Sequence, residues 1–225
     1  MLSPKGAMQT AGEKVWILGG GRFGQQAVEV MLKKTSPEAI TLVDTRMIQE
    51  LSGDITFIQE DAVDWLVDHL SRGSGVGKII PALPVHLVVE WLKGKISSSG
   101  AVVQSVDIND ELLENFPNPY RTSPSQIVVS NADFICPPTC VEPEKLCTYT
   151  KQPRPTPLYH LLQEQSGRGF IPLIVRSRQF GSGVGGYYPE DIWVLYERVL
   201  ALRNTPLLIG TACKCHGIVD GLIVK

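Results

Sequence analysis

The apolar positions of the N-terminal half follow two periods, one of a strand and one of a helix. A short apolar run at residues 15–18 leads through a glycine turn into a stretch whose apolar side chains recur at helical spacing, namely Phe23, Ala27, Val28 and Met31. The order of strand and helix recurs in "DITFIQEDAVDWLVDHL" and "KIIPALPVHLVVEWLKGK", and "AITLVD" and "AVVQSVD" supply further strands. Strands and helices that alternate in this way predict a doubly wound, Rossmann-like α/β fold with a mostly parallel sheet.

The glycine turn carries the first chemical signal. Gly19, Gly21 and Gly24 fit the pattern G-x-G-x-x-G between a strand and a helix, where phosphates can lie at the helix N-terminus. Asp44 ends the next strand 20 residues beyond Gly24, where an acid accepts hydrogen bonds from the adenosine ribose. This placement favours NAD, while Arg46 keeps NADP as a lesser alternative because an arginine can hold a 2′-phosphate.

Composition and charge argue against nucleic acid and membrane as binding partners. The chain of 225 residues has 43% apolar and 20% charged residues and a net charge of −2, so it lacks the surplus of cations that nucleic acid requires. The opening "MLSPKGAMQTAGEK" has no apolar core of a signal peptide, and no apolar run is long enough to span a membrane. We therefore expect a cytoplasmic protein whose thiols stay reduced, without nucleic-acid binding or membrane insertion.

Motifs in the first 110 residues resemble those of two known protein families. "VWILGGGRFGQQAVEVM", "ITLVD" and "ITFIQEDAVD" resemble the NAD-binding RCK-type domains of potassium-transport regulators, although Glu60 stands where that family usually has Gly. "IIPALPVHLVVEWL" is similar to the stretch after the fourth strand in saccharopine-dehydrogenase-like proteins, which flanks the nicotinamide. Neither family's second domain is recognisable downstream, so the resemblances concern nucleotide binding and not activity.

The RCK resemblance implies roles for residues beyond the glycine turn. It implies that Asp44 holds the ribose and that Asp61 and Ala62 lie beside the adenine. With the glycine turn included, the predicted nucleotide-binding residues are Gly19, Gly21, Arg22, Phe23, Gly24, Asp44, Asp61 and Ala62.

The chain changes character after the proline-rich stretch "FPNPYRTSPSQ". We predict an NAD-binding unit at residues 12–130 and a cysteine-rich, metal-binding region at residues 131–225. The strand "QIVVSNADFI" is expected to deliver Cys136, and the loop after it Cys140 and Cys147. Cys213 and Cys215 lie in a predicted strand or hairpin, where residues two apart project to the same side.

Three interpretations of the five cysteines stay open. Zinc would take four ligands from the cysteines and His216. An iron–sulfur cluster would take four thiolates, and the Cys-Pro step at Cys136 and the uncommon C-x3-C-x6-C spacing favour it mildly. Free cysteines can also be small buried apolar residues. Because NADH delivers a two-electron hydride and a cluster accepts one electron, a cluster would normally require a flavin between them.

A second G-x-G-x-x-G occurs at Gly181, Gly183 and Gly186, after the strand "FIPLIVRSRQF". It is open to three interpretations: a second nucleotide or flavin site, a loop that closes over the first site, or a plain turn. Arg176 and Arg178 alternate just before it and could reach a carboxylate or phosphate, or simply form a solvated face. His86 is the one histidine near the expected nicotinamide position.

These features together predict an NAD-binding redox protein, an oxidoreductase with a cysteine-ligated metal centre, iron–sulfur or zinc, near the nucleotide. The alternative is a non-catalytic sensor of NAD or redox state that acts on a partner protein. Expected partners are a dinucleotide and an electron-transfer or regulatory protein, with homo-oligomerisation left open. The sequence identifies neither a substrate nor a catalytic residue.

Overall fold

The computed structural model describes residues 13–48, 53–165 and 169–225. These residues form twelve strands and six α-helices in a mixed α/β arrangement. The strands are β1 (Lys14–Leu18), β2 (Ile40–Val43), β3 (Thr56–Ile58), β4 (Val76–Pro81), β5 (Val103–Ser105), β6 (Tyr120–Ser123), β7 (Gln126–Ser130), β8 (Ile171–Arg176), β9 (Arg178–Gly181), β10 (Val184–Gly186), β11 (Leu207–Ala212) and β12 (His216–Val224). The helices are α1 (Arg22–Met31), α2 (Ala62–His69), α3 (Leu87–Ser97), α4 (Asp110–Leu113), α5 (Leu158–Gln163) and α6 (Pro189–Ala201).

The first four strands form a parallel sheet in the order β3-β2-β1-β4. Its last residues are in register, since Leu18 pairs with both Val43 and Pro81, and Val43 pairs with Ile58. The carboxyl ends of the four strands therefore lie along one edge. This is the edge at which open α/β sheets bind ligands.

Both faces of the parallel sheet are covered, as the alternation of β1 requires. Val15 and Ile17 pack with Ala27, Val28 and Met31 of α1. Trp16 and Leu18 face the opposite side and join a cluster that contains residues of α2 and α3. The predicted apolar stripe of α1 is thus buried except for Phe23, which is 64% exposed.

A second, six-stranded sheet has the order β6-β7-β12-β11-β8, with β5 beside β12. Only β8 and β11 are parallel, and every other pair in this sheet is antiparallel. The fifth strand that we predicted for the parallel sheet is β5, and it instead pairs antiparallel with β12. The predicted boundary after residue 130 consequently falls between strands of a single sheet.

The two sheets share a core. One continuous apolar cluster includes Leu18 of the first sheet, Trp91 of α3 and Ile209 of β11. The hairpin β9-β10 also links the sheets, because Tyr187, directly after β10, exchanges two backbone hydrogen bonds with Ile79 of β4.

The helix α6 buries one apolar stripe. Pro189 stands in its first turn, and Ile192, Leu195 and Val199 form its buried stripe. None of the described helices combines the length and the apolar character that a membrane span needs.

Candidate functional site

The glycine turn and Asp44 form one side of a cleft at the carboxyl edge of the parallel sheet. Asp44 accepts hydrogen bonds from the backbone N–H groups of Gly20 (2.6 Å) and Arg46 (2.8 Å). Burial raises the pKa of Asp44, but these N–H groups and the charge of Arg46 outweigh burial, and the net pKa is lowered. The cleft has a volume of about 570 Å³ and is lined by Gly20, Gly21, Gln25, Asp44, Arg46, Met47 and Ile48.

The three glycines of the turn differ in what surrounds them. Gly19 adopts φ +105°, which L side chains rarely adopt. A Cβ atom on Gly24 would overlap the carbonyl oxygen of Gly19, so this position holds the helix close to the turn. A Cβ atom on Gly21 would meet no atom within 4 Å. These surroundings correspond to a tight turn, close helix packing and open space for a ligand, respectively.

The remaining predicted nucleotide residues are not among those that line this cleft. Arg22 is exposed, and Phe23 lines a different cavity. Asp61 caps α2 by accepting hydrogen bonds from Val63 N (2.8 Å) and Asp64 N (3.1 Å), and Ala62 is buried. An aspartate just before an apolar helical pattern is a recognised N-cap signal. The N-cap role of Asp61 could therefore have been predicted from the sequence.

All five cysteines line one cavity of about 700 Å³. They come from two segments: the loop after β7 holds Cys136, Cys140 and Cys147, and the connection between β11 and β12 holds Cys213 and Cys215. His216 and Phe23 also line this cavity. The structure thus brings together cysteines up to 79 positions apart, from Cys136 to Cys215.

The loop that carries the first three cysteines does not continue the strand as predicted. β7 ends at Ser130, and Asn131 then bonds through its backbone N–H to the carbonyl of Cys215 (2.7 Å). Its side-chain amide donates to the carbonyl of Lys214 (3.0 Å). Asn131 thus ties the end of β7 to the β11–β12 turn, and Cys136 lines the same cavity as Cys213 and Cys215.

The second glycine pattern forms the hairpin β9-β10 and holds the cysteine loop in place. Gly183 donates its N–H to the carbonyl of Cys140 (2.9 Å), and the Gln179 amide donates to the same oxygen (2.6 Å). Gly183 has φ +68°, and a Cβ atom there would overlap the carbonyl oxygen of Pro138. Of the three interpretations, the turn fits this geometry, since no helix begins at these glycines.

Several hydrogen-bond donors point at the sulfur atoms of the cavity. The N–H groups of Cys215 and His216 both donate to Cys213 Sγ at 3.3 Å. The Arg154 guanidinium donates to Cys215 Sγ at 2.8 Å. His216 Nε2 lies 3.5 Å from Cys136 Sγ. Such donors stabilise negative charge on sulfur, which is the form that binds metals.

The pKa values of the thiols reflect burial and mutual proximity. Burial raises the pKa of Cys213 to about 12. Burial also raises the pKa of Cys136, and the charges of Cys215, Cys140 and Cys147 raise it further. The pKa of Cys147 is lowered, chiefly by hydrogen bonds from the backbone and the hydroxyl of Thr150. Burial and the neighbouring thiols thus oppose a negative charge at Cys136, whereas hydrogen bonds favour one at Cys147.

The donor set suits a metal in its chemistry but does not form a compact single-ion site. Among the described residues, no three or more His, Cys, Asp or Glu side chains converge closely enough to hold one metal ion. Tetrahedral zinc would require sulfur atoms about 3.8 Å apart. The five free thiols surround the cavity instead.

His86 lies outside both cavities and forms a buried pair. Its Nδ1 is 2.6 Å from Asp220 Oδ2, and Gln126 donates to Asp220 Oδ1 at 3.0 Å. His86 is 2% exposed, and its Nε2 has no hydrogen-bond partner among the described residues. The pair ties the start of α3 to β12. Sequence reasoning missed Asp220 because 134 residues separate the two side chains.

Arg154 is the residue of the site that sequence reasoning missed most clearly. It lies in "KQPRPTP", a proline-rich stretch after the cysteine loop. Nothing local marks it, because its contact with Cys215 spans 61 residues.

Comparison with known proteins gives a family but no established activity. The family model AF_1314_C, described as "Uncharacterized protein, C-terminal domain", matches residues 62–225. A protein of Archaeoglobus fulgidus, described as an uncharacterized protein, is 24% identical over 221 residues, which cover 92% of this chain and 97% of the relative. No solved structure matches. The family match includes all five cysteines and excludes the glycine turn.

Proposed function

The chain belongs to the AF_1314_C family, and we propose that it is an NAD-binding redox protein whose cysteines hold an iron–sulfur cluster. One observation carries the proposal: five cysteines from two distant segments line one cavity, whose wall includes Phe23 of the glycine turn. A metal centre in this cavity would therefore adjoin the turn at which the dinucleotide binds.

In this proposal the parallel sheet is a doubly wound nucleotide-binding unit. Its strand order β3-β2-β1-β4, with helices on both faces, supports this assignment. The pyrophosphate would lie over Gly21, where the backbone leaves open space, at the N-terminus of α1. Asp44 would accept hydrogen bonds from the ribose hydroxyls. This unit is the part of the RCK-type resemblance that we carry forward.

The state of Asp44 favours NAD over NADP. Its pKa is lowered, so the side chain is a carboxylate at neutral pH and would repel a 2′-phosphate. Arg46, the residue that could offset this repulsion, has a side chain that is 84% exposed and lies 3.9 Å from Asp44.

The spread of the cysteines favours a cluster over a single zinc ion. Zinc needs four donors that meet at one point, whereas a cluster of several iron and sulfide atoms bridges thiolates across a wider space. A cavity of about 700 Å³ with thiols around its wall suits the larger group. Cys136, Cys140, Cys147, Cys213 and Cys215 are the candidate ligands, and one of the five would be spare.

The chain's own residues prepare the cavity for thiolates. Arg154 places a positive charge against Cys215, and the two backbone N–H groups at Cys213 offset the cost of charge on that buried sulfur. Phe23 and Pro137 cover part of the cavity with apolar surface. A cluster held there would supply one-electron transfer.

The two versions of the proposal differ in NADH turnover. An oxidoreductase would consume NADH, and a sensor would bind it without consuming it. A hydride carries two electrons, so catalysis would require a flavin or a comparable two-electron acceptor. The test is oxidation of NADH by the anaerobically purified protein with ferricyanide as acceptor. Turnover that is absent in Gly21→Leu supports an oxidoreductase, and NADH binding without consumption supports the sensor.

Both the oxidoreductase and the sensor would act with a partner protein. Large apolar side chains are exposed on the cysteine loop, including Ile135 at 94% and Tyr149 at 58%. Exposed apolar surface beside a redox centre suits docking of an electron-transfer or regulatory protein. The five free thiols suit a reducing compartment such as the cytoplasm.

A further inference from the structure

A second cleft adjoins the cysteine cavity and is dominated by cations. It has a volume of about 570 Å³, and its charged lining residues are Arg154, Arg176, Lys214 and Glu144. Arg154 lines both this cleft and the cysteine cavity. Three positive side chains therefore share the space with one carboxylate.

Glu144 lies in this cleft as an exposed side chain bound to a buried one. Lys214 Nζ donates to Glu144 Oε1 at 2.6 Å, yet the Lys214 side chain is only 9% exposed whereas that of Glu144 is 85% exposed. Lys214 lowers the pKa of Glu144 through this hydrogen bond and its charge, and the charges of Arg176 and Arg154 lower it further. A solvent-exposed carboxylate thus receives the field of all three cations.

The three cationic side chains of the cleft carry more hydrogen-bond donors than the single carboxylate of Glu144 can accept. Arg154 Nε is buried and has no hydrogen-bond partner within the part of the chain that the structure describes. Arg176 lies 4.7 Å from the ring centre of Tyr159, and no carboxylate among the described residues forms a salt bridge with it. The other nearby carboxylate, Glu142, accepts the backbone N–H of Lys214 at 2.6 Å and does not line the cleft.

We propose that this cleft binds the phosphate group of a small-molecule ligand and that Glu144 occupies it when the ligand is absent. A phosphate dianion offers three acceptor oxygens to three cationic donors, which a single carboxylate cannot match. Displacement of Glu144 costs little because its side chain is already exposed. The inference goes beyond the proposed function and requires neither NAD nor a metal.

Titration calorimetry with inorganic phosphate and the full-length protein tests this site. Glu144→Gln removes the competing carboxylate, so phosphate should bind this variant several-fold more tightly than the unmodified protein. Arg176→Gln should bind phosphate about tenfold more weakly, and Arg176→Lys should recover part of that loss. Glu29→Gln and Arg198→Gln, exposed positions on α1 and α6, are the matched controls and should bind phosphate as the unmodified protein does.

Three results of the phosphate titrations would overturn the inference. They are no phosphate binding by Glu144→Gln, equal binding by Arg176→Gln and the controls, or binding that Gly21→Leu abolishes, which would assign the phosphate to the nucleotide cleft. Acetate should bind more weakly than phosphate, and equal affinities would also contradict a dianion site. Because the assay uses neither NAD nor metal content as its readout, its outcome is separate from that of the proposed function.

Discussion

At the scale of single residues, the nucleotide cleft depends on the glycines of the turn and on the carboxylate of Asp44. Gly19 and Gly24 are required by the fold, since one has a positive φ and the other packs on a carbonyl oxygen. Gly21 is different, because the fold leaves space for a side chain there. A substitution at Gly21 can therefore separate ligand binding from stability.

Gly21→Leu should lower NAD affinity at least tenfold while the protein stays folded. The leucine would fill the space proposed for the pyrophosphate, at a cost of under about 1 kcal/mol in stability at an N-cap position. Gly73→Leu is the matched control, because a Cβ atom at Gly73 also meets nothing within 4 Å. Fluorescence titration with NADH gives the affinities and thermal melts the stability. Equal NADH affinity in the two variants would refute the glycine-turn assignment.

Asp44 should contribute stability that depends on pH. Its pKa is lower in the folded chain than its ordinary value of 3.8, so its contribution is present above that value and is lost as pH falls through the folded pKa. We expect Asp44→Asn to destabilise the protein by about 1–2 kcal/mol at pH 7, because the amide keeps only one acceptor for the two N–H donors. Denaturant unfolding from pH 7 to pH 2.5 should find that this difference shrinks below pH 4. Asp68→Asn, at an exposed position on α2, serves as the control, and a constant difference for Asp44→Asn would contradict this explanation.

At the scale of elements, local patterns predicted the helices α1, α2 and α3 and most of the strands, but not the strand partners. The apolar run of β1, the stripe of α6 and the β11–β12 hairpin follow directly from spacing. The segment of β5 reads equally well as a parallel or an antiparallel strand, and its partner β12 lies more than 100 residues later. Only tertiary pairing decides such a case, so the assignment of β5 to the first sheet was wrong.

The hairpin β9-β10 should position the cysteine loop. Gly183→Ala would force a side chain onto the Pro138 carbonyl at φ +68°, and we expect it to destabilise the protein by about 1–3 kcal/mol and to lower metal content. Gly185→Ala lies in the same hairpin, where a Cβ atom comes no closer than 3.1 Å to Ser177 Oγ, and should have a small effect. Metal analysis and thermal melts of the two variants make the comparison. If the metal content of Gly183→Ala were unchanged, the hairpin would have no part in the site.

At the scale of the whole molecule, the sequence could name the cysteines but not the groups around them. The spacing identified five candidate ligands, and all five line one cavity. Arg154 and Glu144 lacked any local signal, since the contact of Arg154 with Cys215 spans 61 residues and that of Glu144 with Lys214 spans 70. Phe23 shares the helical period of the buried side chains of α1, yet it is 64% exposed and lines the cysteine cavity, which periodicity alone could not show.

Cys215→Ser should reduce bound iron by at least half while NAD affinity changes less than about twofold. Serine is a poor substitute for a thiolate ligand, and Cys215 does not line the nucleotide cleft. His69→Gln is the control, since His69 bonds to the carbonyl of Trp65 and lies outside the cysteine cavity. Iron that stays at the level of the control would remove Cys215 from the ligand set.

The metal content of the protein tests directly whether its cysteines hold an iron–sulfur cluster. The full-length chain would be purified without oxygen, and its iron, acid-labile sulfide and zinc measured against protein concentration. We expect iron and sulfide in equal amounts, at roughly two to four atoms of each per chain. Zinc alone, or no metal at all, would contradict the cluster and leave the five cysteines without the role proposed for them.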